Sequence, residues 1–136
     1  MAFEVTTASD DDVRQIIRIM FKAYDGKNEY INAVFPRGLT HEGEDITNQR
    51  MLSIKHANPG VKWEKITDSV SGKIIGGAMW TLFQDSKPVK FNLDGPPGTW
   101  MTEIEKEYAQ ALFVSVGVDE YKYFAENNLP FMSMGC

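Results

Sequence analysis

Cysteine is almost missing from this sequence: Cys136 is the single one, so no disulfide can form within the chain. Runs of Lys or Arg are missing too, and the formal net charge is −5. Nucleic acid and anionic membrane surfaces are recognised through basic patches, so neither is expected as a partner. Histidine is scarce, with only His41 and His56. The two stand in separate polar stretches, and HEGED (His41 to Asp45) lacks the i, i+4 histidine pair of a helical zinc motif, so no metal site is expected. No apolar run reaches the length of a membrane span. The opening MAFEVTTASDDD has neither the basic nor the apolar region of a signal peptide. The expectation is a soluble cytoplasmic protein.

What is present suits one folded domain over residues 1–136. Hydrophobic residues make up 43% and charged residues 24%, a balance that argues against disorder. At this length roughly two thirds of the unfolded surface can be buried, so neither disulfide nor metal is needed. Seven Met, eight Phe, five Tyr and three Trp either fill the core or line an adaptable apolar pocket.

Phe3 to Thr7 alternates like a short strand. Ser9 with Asp12 is a helix start, and Val13, Ile16, Ile17, Met20, Phe21 and Tyr24 give a helical apolar stripe that Gly26 ends. Asn28 to Val34 reads as a short helix stopped by Phe35-Pro36. Thr40 to Ala57 is polar and weakly periodic, with helix formers near its middle. Val61 to Asp68 alternates, Ser69 to Lys73 is a turn, and Ile74 to Phe83 is apolar almost throughout, as in a central strand covered on both faces. Ser86 to Gly98 is a loop. Thr102 with Glu105 starts a helix whose expected buried face is Ile104, Tyr108, Ala111, Leu112 and Ser115, ending at Gly117. Asp119 to Asn127 reads as a separate short helix, and Leu129 to Met134 as the last strand. The predicted class is α+β (mixed α/β), with helices flanking a mostly antiparallel sheet.

These residues, taken in this order, resemble the N-terminal half of a GNAT-type N-acetyltransferase, most of all the fungal members. The likeness rests on FEVTTASDDDVRQIIRIMFKAY, on Arg50, and on the hairpin VKWEKITDSVSGKIIGGAMW. Within that hairpin Trp63, Lys65, Asp68, Gly72, Ile74, Ile75, Gly76, Ala78 and Trp80 occupy the family's pattern, and FMSM resembles the start of its fourth strand. The resemblance implies a truncated GNAT-like fold. In the family the fourth strand leads to a loop and helix N-terminus that hold the acetyl-CoA pyrophosphate, and this sequence stops before such a loop. SGKIIGG lacks P-loop spacing, and the two prolines of GPPG remove needed N–H donors. No cofactor is expected, and CoA-dependent acetyl transfer is not expected from this chain alone.

The resemblance also places an acceptor pocket near the connection between the first two helices and the central strands. It suggests Tyr24, Tyr30, Phe35, Trp80, Phe131, Met132 and Met134 as residues binding a hydrophobic small molecule. Tyr24, His56, Asp68 and Glu120 are the candidates for proton transfer. The reading that follows is a cofactor-free tailoring enzyme performing cyclisation, lactonisation, isomerisation or elimination. The alternatives are a non-catalytic binding or regulatory remnant, or one half of a split acetyltransferase. The uncharged terminal strand predicts a homodimer paired through it.

Overall fold

The computed structural model describes residues 2–135; Cys136 and the side chain of Phe131, both weighed above, lie outside what is described. Strand β1 (Phe3–Thr7) leads into helices α1 (Asp10–Tyr24), α2 (Glu29–Val34) and α3 (His41–Ala57). The hairpin strands β2 (Val61–Asp68) and β3 (Ile74–Phe83) follow, then α4 (Glu103–Glu126) and β4 (Phe131–Gly135). The four strands form one antiparallel sheet in the order β1-β2-β3-β4. The α+β class predicted from the sequence is the one observed.

Helix α1 begins with a reciprocal cap. Asp12 N donates to Ser9 Oγ at 3.2 Å, and Ser9 N donates to Asp12 Oδ2 at 2.9 Å. Its buried stripe is Val13, Ile16, Ile17 and Phe21. The left-handed residue that ends it is Asp25, one before the expected Gly26. Asn28 and Thr40 cap α2 and α3 by accepting from Ile31 N and Gly43 N.

Register assigns each side chain on the sheet to a face. Trp63 pairs with Met79 and Lys65 with Gly77. These residues face α1: a Cβ on Gly77 would stand 2.5 Å from Ile16 Cδ1, and Lys65 Nζ donates to Asp12 Oδ2 at 2.8 Å. Only glycine at 77 lets the helix lie this close to the strand. The alternate positions, Lys62 with Trp80 and then Met134, occupy the opposite face.

Two sequence expectations need correction. No residue of β3 is fully buried, and Ile75 is exposed, so the strand is not covered on both faces. Its outward residues Gly76, Ala78, Trp80 and Leu82 are apolar without being enclosed, which erased the alternation. The second correction concerns α4, which is one helix running through Gly117. Ile104, Tyr108, Ala111 and Ser115 are exposed, while Ala109 and Phe124 are buried. The covered side is set by what packs there: Gln110 Nε2 donates to Leu93 O at 2.9 Å, and the ring of Phe113 lies 5.5 Å from that of Phe91. Helix α2 and the loop of residues 86–98 chose the face, and the helix's own pattern did not.

Candidate functional site

A cavity of about 130 Å³ opens between α1, α3 and the inner face of the hairpin. Ile16, Ile19 and Met20 come from α1, Thr47 and Met51 from α3, Trp63 from β2, and Phe35 from the end of α2. Each is placed by ordinary helix or strand spacing. Ile19 and Met20 follow Ile16 by three and four residues, and Met51 follows Thr47 by four. Trp63 takes the inward position between Val61 and Lys65. Gly77 leaves the β3 side of the cavity without bulk, and the backbone of Gly76 borders it.

The walls carry no titratable side chain. Their polar features are the hydroxyl of Thr47, a residue almost fully buried, and the indole of Trp63, which is 3% exposed. Trp63 Nε1 is buried and, among the described residues, has no hydrogen-bond partner. Trp100 makes the contrast, since its Nε1 donates to Ala33 O at 2.8 Å.

Ion pairs brace the two helices that wall the cavity. Arg14 Nε donates to Glu44 Oε1 at 3.0 Å, and Arg18 Nη2 donates to the same oxygen at 2.7 Å; Arg14 also pairs with Asp45. The Arg18 and Arg14 hydrogen bonds hold the Glu44 carboxyl below its ordinary range, against the opposing effect of burial. On the same buried stripe of α3 as Thr47 and Met51, Arg50 is buried with no carboxylate in contact among the described residues. Its Nη1 donates to Val34 O at 2.6 Å, and its guanidinium lies 5.0 Å from the ring centre of Phe35 and 5.1 Å from that of Trp100. Burial pulls its pKa down to about 10, with Asp94 pulling the other way, so it stays charged at neutral pH. Arg50 therefore caps the C-terminal end of α2 and clamps the loop before α4.

The structure disperses the four proton-transfer candidates, and none of them lines the cavity. Tyr24 is 37% exposed in the last turn of α1. His56 Nε2 lies 2.8 Å from Asp10 Oδ2 at the surface, where Lys55 also pairs with Asp10. Asp68 accepts from Val70 N and Ser71 Oγ, which hold its carboxyl low and shape the β2–β3 turn. Glu120 accepts from Ser133 Oγ at 2.6 Å, tying α4 to β4.

The substrate-binding set divides as well. Phe35 lines the cavity. Tyr30 packs against the edge of the core beside it. Trp80, Met132 and Met134 lie across the sheet, on the outer face. Of the cavity's other walls, Met20 and Ile16 were legible as stripe residues, and Trp63 only as part of the alternating hairpin strand. Thr47 and Met51 gave no signal, because the buried stripe of α3 is Gly43, Thr47, Arg50 and Met51, which is hardly apolar.

Among the described residues, no cluster of three or more His, Cys, Asp and Glu could hold a metal, and no helix is long and apolar enough to cross a membrane. Compared with known protein families, characterised proteins and solved structures, the chain matches none of them.

Proposed function

We propose that the chain is a binding protein for small apolar molecules, on a fold related to the first half of a GNAT N-acetyltransferase. One observation carries the reading: the cavity between α1, α3 and the hairpin has apolar walls, a buried indole donor without a partner, and no acid or base. Proton transfer needs a titratable group within hydrogen-bond reach of the reacting atom. Tyr24, His56, Asp68 and Glu120 all lie outside these walls, which favours binding over a cofactor-free cyclase or isomerase. The strand and helix order, with the antiparallel β1-β2-β3-β4 sheet, supports the relationship to the GNAT half-fold.

The test is a titration of the protein with benzene followed by amide and methyl chemical shifts. Saturable shifts at Ile16, Met20, Thr47 and Met51 support the reading. Thr47→Leu, which adds bulk to the wall, should abolish them while the protein stays folded. Benzene shifts scattered over the surface, unaffected by Thr47→Leu, refute it.

The same reading includes a homodimer paired through β4. Among the described residues this strand bonds to β3 alone and stands at the edge of the sheet. Residues 131–135 carry no charge, and Met132 and Met134 are 60% and 63% exposed. An uncharged edge is a template for pairing, and two-fold pairing of like edges closes after one copy.

A further inference from the structure

The cavity's chemistry narrows the ligand class, and the inference rests on the binding reading above. An indole N–H donates and cannot accept. Buried tryptophans ordinarily find an acceptor, as Trp100 does with Ala33 O. Trp63 does not, although it lies in a cavity wall and is almost completely enclosed. A water molecule fits such a site poorly, because it needs two to four polar partners and these walls are mostly Ile, Met and Phe. A charged ligand fits worse. The nearest inward cation on β2, Lys65, is already paired with Asp12, and no side chain in the walls bears charge to compensate one. The volume, about 130 Å³, is of the order that in an apolar engineered cavity accommodates a single six-membered ring.

We propose that the site takes a small uncharged molecule of about one ring in size carrying one acceptor oxygen, a ketone, aldehyde or ether, whose oxygen accepts the Trp63 Nε1–H. The apolar remainder lies against Ile16, Met20, Phe35 and Met51. Thr47 borders the same space from α3.

Cyclohexanone and methylenecyclohexane differ only in C=O against C=CH2, and so separate the acceptor from the shape. Both are titrated into the full chain and into Trp63→Phe, with binding read by chemical shift. Both should bind the wild type. Trp63→Phe should weaken the ketone about fivefold relative to the alkene, the loss of one neutral hydrogen bond. Taking the ratio cancels the change in cavity size. The indole signal of Trp63, distinguishable from those of Trp80 and Trp100, should move downfield with the ketone and not with the alkene. That signal decides the question by itself where Trp63→Phe fails to fold. Binding of both molecules with an unmoved Trp63 indole and an unchanged ratio overturns the acceptor assignment and leaves the binding reading intact. Binding of neither overturns both.

Discussion

Gly43 and Gly117 each sit inside a helix with ordinary backbone angles, so helix propensity alone says that alanine should stabilise both. The structure separates them. A Cβ on Gly43 would lie 1.9 Å from Arg37 O, 2.4 Å from Arg37 C and 2.7 Å from Pro36 O. These are backbone atoms, so the first turn of α3 or the preceding turn must retreat by about 1 Å. The retreat strains the Thr40 cap, because Thr40 Oγ1 accepts from Gly43 N at 3.1 Å and donates to Arg37 O at 2.6 Å. Overpacking costs about 1–3 kcal/mol and a lost cap about 1 kcal/mol, against a propensity gain of about 1 kcal/mol. Gly43→Ala should therefore destabilise by roughly 1–3 kcal/mol. A Cβ on Gly117 would meet only the Tyr121 ring, at 3.5 Å, an ordinary contact. Gly117→Ala should stabilise by about 0.5–1 kcal/mol. In thermal unfolding followed by circular dichroism, the two variants should differ in Tm by about 10 °C, with wild type between them. A Gly43→Ala protein as stable as wild type refutes the close approach of α3 to Arg37.

Arg50→Met keeps the packing volume but leaves the buried Val34 carbonyl without its donor, and should cost about 1–3 kcal/mol in urea unfolding. Arg50→Lys should recover little of this, because an ammonium cannot stack flat between Phe35 and Trp100. Glu44 holds its proton less tightly in the fold than in the unfolded chain, so its contribution to stability is present above its ordinary pKa of 4.5 and disappears as pH falls through the lower folded value. Tm measured from pH 6 to pH 3 should fall less steeply in Glu44→Gln, and equal slopes would contradict the Arg14 and Arg18 pairing. Light scattering should give twice 15.4 kDa for the wild type and 15.4 kDa for Met132→Lys; a wild-type monomer at high concentration rules out the β4 pairing.

Legibility in the sequence followed how local each determinant is. The capping box at Ser9 and Asp12, the stop at Phe35-Pro36, and both hairpin strands are set by neighbours within a few residues, and they stand where the pattern put them. The face of α4 is set by α2, which packs on it from far earlier in the chain, and by Phe91 and Leu93 of the preceding loop, which reach Phe113 and Gln110; nothing inside the helix announces them. Gly117 resembled a helix end because a C-terminal glycine and a tolerated interior glycine look alike until the backbone is seen. The site was legible only in part. Aromatic residues near the expected connection were grouped by the family resemblance, yet Trp80 and Phe35 belong to opposite sides of the sheet, a division that depends on register. Trp63, the inward tryptophan, was read as hairpin pattern and not as a wall.

The order β1-β2-β3-β4 pairs every strand with its neighbour in sequence, and this sets a hierarchy of assembly. The β2–β3 hairpin closes over residues 69–73 alone, the least entropically demanding step in the sheet. Both outer strands must close much longer stretches: residues 8–60 for β1, which carry three helices, and residues 84–130 for β4, which carry α4. Loop closure alone predicts that the hairpin forms first, that α1 docks on it through Ile16 and Gly77, and that the outer strands join at opposite edges afterwards. In native-state hydrogen exchange, the amides linking β2 to β3 should report global unfolding, while those linking β3 to β4 exchange through smaller openings.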